Sequence, residues 1–298
     1  MPIMCRRGPD MVAENIARVG VVGAGLMGAE IALVFALGGM DVLLNDRDAS
    51  VIDAALVRLG RVTDKAVARG VYSAEQREEA LGRIRPAPDI AMLGDRDLVT
   101  EAVFESLEVK RTVLQALDQT CRAGCVIASN TSTLPISTLA ATLSTTRRPF
   151  FLGTHYFSPV SRMQLVEIIP GFDTDPDVTA LMTGTLTEIG KASVLVKDVA
   201  GFAVNRMLHA MIIEAIKLVE EGVATPEDLD TACRLGLGHP IGPFALMDAV
   251  TSGLCLQVQD ILHDCYGERF RPPALLKQRV AAGYGGGGTN PGWIRKAE

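Results

Sequence analysis

His155 closes one apolar run, Phe150-Phe-Leu-Gly-Thr-His155, and Glu167 lies inside the next, Met163-Gln-Leu-Val-Glu-Ile-Ile169. A neutral imidazole is the natural general base near pH 7. A carboxylate on its far ring nitrogen would fix the tautomer and stabilise the imidazolium that forms. The other histidines are less well placed: His209 falls in a helical pattern, His239 in a Gly-His-Pro turn and His263 near a helix end. Only a short Ser158-Pro159 loop joins the two runs, so they read as neighbouring strands with His155 and Glu167 near the same loop. Spacing alone leaves a structural histidine beside a surface glutamate equally open.

A base removes a proton, and the electrons need an acceptor. The sequence offers a grip for one: an apolar strand from Arg18 breaks into Gly23-Ala-Gly-Leu-Met-Gly28 and continues as a helix from about Leu26 to Leu37. In such a turn the first glycine allows the tight bend, the second lets the backbone approach a diphosphate, and the third lets helix pack on strand. The helix stops at Gly38-Gly39, a strand Asp41–Asn45 follows, and Asp46 stands at its tip. A carboxylate there accepts ribose hydroxyls and repels a 2′-phosphate, which favours NAD over NADP, while Arg47 pulls the other way. The plain alternative is a glycine turn in an ordinary α/β unit with a solvated aspartate. A nicotinamide cofactor together with a histidine base means hydride transfer.

The elements that must position these groups alternate in type. A helical pattern runs to about Arg69, and Ser73 with Gln76 forms a capping box for the next helix. Lys65 and Arg69 punctuate the first of these, as solvated surface or as contacts to an anionic substrate group. Asp97–Val103 and Val126–Ser129 are short apolar runs suited to buried parallel strands, with a helical stretch from Leu107 to about Cys121 between them. This alternation implies a parallel sheet with helices on both faces and ligands beyond the carboxyl ends of its strands. Glu105 to Lys110 and Ser129-Asn-Thr-Ser-Thr133 occupy that position. A helix Pro176–Ile189 and a strand Ala192–Val196 finish this half. From Gly201 the pattern is almost wholly helical, with Gly222 as a stop and Thr225-Pro226 as a helix start. A domain boundary is therefore expected near residue 200.

The chain has 298 residues, 48% of them hydrophobic, and a net charge of −6. That supports one large or two ordinary domains and argues against a nucleic-acid surface. No apolar stretch is long enough to span a bilayer as a helix, so a soluble protein is expected. Residues 1–15 carry two arginines without a following apolar core and read as a disordered extension rather than a signal peptide. Cys5, Cys121, Cys125, Cys233, Cys255 and Cys265 are scattered, and Cys121-x3-Cys125 has no second ligand pair nearby. Buried reduced thiols in a cytoplasmic protein, and no metal, are expected.

Several motifs in order resemble the short-chain L-3-hydroxyacyl-CoA dehydrogenases of the 3-hydroxybutyryl-CoA type. They are Gly23-Ala-Gly-Leu-Met-Gly28, Ala128-Ser-Asn-Thr-Ser132, Gly153-Thr-His-Tyr-Phe-Ser-Pro159 with Glu167, Ala200-Gly-Phe-Ala-Val-Asn-Arg206, and Leu235-Gly-Leu-Gly-His-Pro-Ile-Gly-Pro-Phe244. The resemblance covers about residues 16 to 293. It implies an α/β, Rossmann-like doubly wound sheet domain at 16–199 and an all-helical dimerisation domain at 200–298. It further implies NAD as cofactor, an acyl-CoA substrate in fatty acid metabolism, and a homodimer. His155 matches the family's base, Glu167 its acid partner, and Ser132 and Asn205 its substrate-binding hydroxyl and amide. Gly23, Ala24, Gly25, Leu26, Met27, Gly28, Asp46, Glu105, Lys110, Ser132 and Ser158 match cofactor positions.

Two departures stand out. Ser158 replaces an asparagine usual in the family, with one donor hydrogen in place of two. The basic tail segment reads Gly285-Gly-Gly-Gly-Thr-Asn-Pro-Gly-Trp293 here, which puts cofactor affinity and docking of the tail in question. The alternatives to the dehydrogenase reading are a related enzyme of a 3-hydroxy acid without CoA and a non-catalytic NAD-binding protein.

Overall fold

The structure, a computed structural model, describes residues 15–294. The expected extension at 1–15 therefore lies almost wholly outside the described residues, as does Cys5. The chain divides into two compact units, the first ending at Asp198 and the second starting at Val199.

In the first unit an eight-stranded sheet is built from β1 (Arg18–Val22), β2 (Asp41–Asn45), β3 (Ile84–Pro86), β4 (Leu98–Glu101), β5 (Val126–Ser129), β6 (Phe151–Tyr156), β7 (Leu165–Pro170) and β8 (Ala192–Leu195). Its order is β3-β2-β1-β4-β5-β6-β7-β8. Strands β1 to β6 run parallel, and apart from the edge strand β3 they are largely buried on both faces, as strands of a helix-covered parallel sheet are. The pair β6–β7 is the antiparallel exception, because the loop between them is too short for a crossover. Strand order reverses between β1 and β4, which opens a crevice at their carboxyl ends.

The helices of this unit are α1 (Leu26–Leu37), α2 (Ala49–Ala68), α3 (Ala74–Arg83), α4 (Leu107–Thr120), α5 (Ile136–Ala140) and α6 (Pro176–Glu188). Helix α1 is buried continuously from Gly28 to Ala36, so it is apolar nearly all round and lies deep in the main core. Helix α3 starts at the expected capping box, with both the Ser73 and Gln76 side-chain bonds present. Strand β3 has three residues and ends in proline, which an edge position tolerates because no further ladder donor is needed there.

The second unit is helical: α7 (Val204–Glu220), α8 (Pro226–Gly236), α9 (Pro243–Val250), α10 (Ser252–Tyr266) and α11 (Ala274–Ala281). Thr225 caps α8 through the backbone N–H of Asp228, with Pro226 at its first position. The C-terminal tail docks on this unit despite its unusual sequence. Asp248, fully buried, accepts from the backbone N–H of Trp293 at 2.7 Å and of Ile294 at 3.0 Å. The Trp293 indole donates to the Ser252 hydroxyl and lies under the Arg279 guanidinium at 4.3 Å. Docking thus depends on the buried Asp248 carboxylate, the Trp293 indole and Arg279 of α11, which also donates to the Gly292 carbonyl, rather than on basic residues within the tail segment.

The cysteine expectation needs one correction. Cys121, Cys125 and Cys255 are buried free thiols, but Cys233 is half-buried and Cys265 is exposed, because it sits on the outer face of α10.

Candidate functional site

The glycine turn follows β1 directly. Gly23 has φ 100, a left-handed value that glycine adopts without strain, and its N–H donates to the Asn45 carbonyl at 2.8 Å. A Cβ there would lie 2.6 Å from the Ala102 carbonyl oxygen, and one at Gly28 would run into the carbonyl of Gly23. At Gly25 nothing lies within 4 Å of such an atom, so the turn is open on the side where a diphosphate would approach. Above it is a cavity of about 1020 Å³, lined among others by Gly23, Gly25, Leu26, Met27, Asp46 and Phe104. Ala24 joins this turn through its backbone: its N–H donates to Asp46 Oδ2 at 2.8 Å. One Asp46 carboxylate oxygen thereby ties the tip of β2 to the turn, and Arg47 beside it is exposed. An open backbone turn, a carboxylate at the second strand tip and a long apolar-walled cavity fit NAD.

His155 and Glu167 stand opposite each other in the β6–β7 ladder. Their side chains share a face, and His155 Nδ1 lies 2.7 Å from Glu167 Oε2. Glu167 is fully buried and the His155 side chain only 5% exposed, so the bond is screened little by water. The Phe157 ring packs on the imidazole at 4.5 Å. Asn130, which no motif singled out by role, accepts from the Tyr156 N–H at 3.0 Å and ties the loop after β5 to the residue following His155. Burial also pushes the Tyr156 phenol up, which keeps it neutral beneath the site.

The loop carrying Ser132 is organised by Glu105. Its Oε1 accepts from the Thr131 hydroxyl at 2.6 Å, the Ser132 N–H at 2.9 Å and the Thr133 N–H at 3.0 Å. Burial alone would raise the Glu105 pKa, but Lys110 and these donors hold it below the usual glutamate value. Ser132 is half-buried.

Lys110 is not where a cofactor-contacting residue would be. Its side chain is 0% exposed, and Nζ is bound to Glu101 Oε1 at 2.7 Å and Glu105 Oε2 at 3.2 Å. Glu101, also fully buried, takes the Ser129 hydroxyl at 2.6 Å as well. Lys110 therefore presents no surface to a ligand and acts on the Ser132 loop through Glu105. Removing it would leave the fully buried Glu101 carboxylate without its cation, a change that costs about 3–5 kcal/mol in comparable pairs, and would release the half-buried Glu105 as well. The sequence signal was Glu101, an acid closing an apolar strand only nine residues before Lys110.

Ser158 is exposed on the β6–β7 loop. That loop is held from two sides: Glu30, from the middle of α1, accepts from the Ser161 N–H at 2.9 Å, and Lys191 donates to the Met163 carbonyl at 2.8 Å. Asn205 is half-buried at the second position of α7, in the second unit. Lys65 and Arg69 are both exposed on the last turns of α2. Among the described residues no cluster of histidine, cysteine or acidic side chains could hold a metal.

Residues 18–199 match a family model for the NAD binding domain of 3-hydroxyacyl-CoA dehydrogenase, and residues 201–296 match one for its C-terminal domain. The chain is 38% identical to the 3-hydroxybutyryl-CoA dehydrogenase of Bradyrhizobium diazoefficiens over 283 residues, 95% of this chain and 96% of that protein. It is 36% identical to a probable 3-hydroxybutyryl-CoA dehydrogenase of Deinococcus radiodurans over 279 residues, 93% of this chain and 99% of that one. Its fold matches the crystal structure of (S)-3-hydroxybutyryl-CoA dehydrogenase from Ralstonia eutropha with a TM-score of 0.91 and 34% identity, covering 95% of this chain and 100% of that chain.

Proposed function

We propose that this chain, which belongs to the 3-hydroxyacyl-CoA dehydrogenase family, oxidises the 3-hydroxyl of an L-3-hydroxyacyl-CoA of the 3-hydroxybutyryl type to the 3-oxo thioester, reversibly. The observation that carries the reading is the buried His155–Glu167 pair at 2.7 Å, at the carboxyl end of β6. With Nδ1–H held by the carboxylate, His155 takes the substrate hydroxyl proton at Nε2, and Glu167 stabilises the imidazolium that results. In the reverse direction the same imidazolium returns the proton to the carbonyl oxygen. Ser132 and Asn205 are assigned hydrogen bonds to the substrate, and Glu105 with Lys110 fixes the loop from which Ser132 acts. Gly23 to Gly28 and Asp46 hold the cofactor; Ser158 is assigned a further contact to it. NAD, when bound, supplies nicotinamide C4 as the hydride acceptor.

The domain limits assigned are 16–199 for NAD binding and 200–298 for the helical domain. A homodimer through the helical unit is the assigned assembly, supported by Met207, Leu235 and Leu237, large apolar side chains 65–80% exposed on its helices and loops. A cytoplasmic place in fatty acid metabolism is assigned together with this activity. No helix among the described residues is long and apolar enough to cross a membrane.

The test is NADH consumption by the wild-type protein with acetoacetyl-CoA and, separately, with free acetoacetate. Turnover with the thioester alone is expected. Turnover with the free acid alone would assign a non-CoA substrate, and turnover with neither would leave a non-catalytic NAD-binding protein.

A further inference from the structure

The glycine turn is braced from outside by a residue no motif identifies. Arg58 lies in the third turn of α2, on the flank of the stripe Ile52, Ala55, Leu59 and Thr63 that α2 buries. Its Nη2 donates to two carbonyl oxygens of the turn, Ala24 at 3.2 Å and Gly25 at 3.0 Å. Its Nε is closed off from solvent and has no hydrogen-bond partner among the described residues. Among the described residues no carboxylate pairs with this guanidinium.

This is an unfavourable place for an unpaired cation. A buried N–H without an acceptor costs free energy, more so on a charged group. The N-terminal end of α1, which starts at Leu26, also carries partial positive charge and repels a guanidinium. The charge penalty is offset by an anion on the open side of Gly25, which neutralises positive charge at this helix end. The Ala24 and Gly25 carbonyls share peptide planes with the N–H groups of Gly25 and Leu26, two residues that line the cavity, so fixing the carbonyls also fixes the direction of those two donors.

We propose that Arg58 is a cofactor-positioning residue: it pins the Ala24 and Gly25 carbonyls so that the Gly25 and Leu26 N–H groups face the diphosphate of NAD, and it supplies the fixed positive charge that balances that diphosphate. This rests on NAD as the cofactor. Coenzyme A also carries a diphosphate, but the contacts of Arg58 are to the turn between β1 and α1, which assigns it to the dinucleotide.

The experiment is a fluorescence titration of NADH against the wild-type protein and R58A, R58Q and R58K, at low and high salt, with kcat at saturating NADH and KM for acetoacetyl-CoA measured alongside. R58A and R58Q should raise the NADH Kd about tenfold at low salt, as loss of a charge-assisted contact does. The gap should narrow at high salt, and R58K should recover part of the salt-sensitive binding. Both kcat and the KM for acetoacetyl-CoA should stay within about twofold, the signature of binding lost without loss of chemistry. R58Q and R58K decide the question even where R58A is poorly folded, because glutamine keeps the stem without the charge and lysine keeps the charge one bond short of Nη2. An R58Q Kd within about twofold of wild type, or a loss indifferent to salt, would overturn the proposal. A change confined to the KM for acetoacetyl-CoA would also overturn it and assign Arg58 to the coenzyme A diphosphate. Failure of the wild-type protein itself to bind NADH would instead refute the cofactor assignment.

Discussion

Replacing Glu167 by Gln removes one charge from the buried pair and almost nothing else. The carboxylate is fully buried 2.7 Å from His155 Nδ1, so its effect on a developing imidazolium is transmitted with little screening. With charge centres ~4 Å apart and an effective dielectric of ~20, the attraction is about 4 kcal/mol. The carboxamide retains a neutral hydrogen bond, so the net loss is that of a charge-assisted bond, about 1.5–3 kcal/mol. That corresponds to a fall in kcat of roughly 10- to 150-fold. The loss grows toward 10⁴-fold, on the order seen for a mispaired tautomer, if the amide nitrogen faces the ring. The assay is steady-state oxidation of 3-hydroxybutyryl-CoA at saturating NAD, with NADH affinity measured separately by fluorescence and expected to be unchanged. A kcat within about threefold of wild type would refute the charge-stabilising role and leave Glu167 as a packing partner.

Asp46→Ala should raise the NADH Kd at least about tenfold, since the carboxylate also holds the Ala24 N–H, and should narrow the preference over NADPH. A wild-type preference for NADPH would show that Arg47 governs the site. Ser158→Asn should lower the NADH Kd by roughly two- to twelvefold with kcat at saturating cofactor unchanged, the range set by one hydrogen bond of about 0.5–1.5 kcal/mol. Equal affinities would mean that the serine is compensated locally. Burial pushes the His209 pKa down to about 4. The unfolded chain therefore binds the extra proton first, and stability is lost as pH falls from the unfolded histidine value of about 6.5 toward the folded one. Urea titrations should show about 2 kcal/mol less stability at pH 5 than at pH 7 from this residue, a difference His209→Gln should lack. Identical pH dependence in the two proteins would sink that assignment.

Much of the fold was legible because its signals are local. The apolar run before Gly23, the Ser73 and Gln76 capping box and the Thr225-Pro226 helix start each require only a few adjacent residues, and each is present. The pairing of β6 with β7 was legible from the shortness of their connection, although β7 starts at Leu165 rather than Met163 because residues 159–163 are spent in a turn closed on the Pro159 carbonyl. What escaped is non-local or very short. Strand β3 is three residues long and takes its conformation from pairing with β2. Helix α5 has five residues, and its first N–H groups are capped by Asp198, 62 positions away. Lys110 reads as a surface charge from hydropathy, and only the convergence of Glu101 and Glu105 on it makes its burial tolerable. Arg58 and Asn130 act on backbone atoms distant in sequence, in the glycine turn and at the end of β6, and backbone targets leave no trace in side-chain pattern.

The most direct test of the central claim is kcat for His155→Gln with acetoacetyl-CoA and saturating NADH, measured beside the NADH Kd of the same protein. With His155 as the acid–base group, kcat should fall by roughly two to four orders of magnitude while NADH binds as in wild type. Near-normal turnover would contradict the assignment and leave the buried pair a structural one.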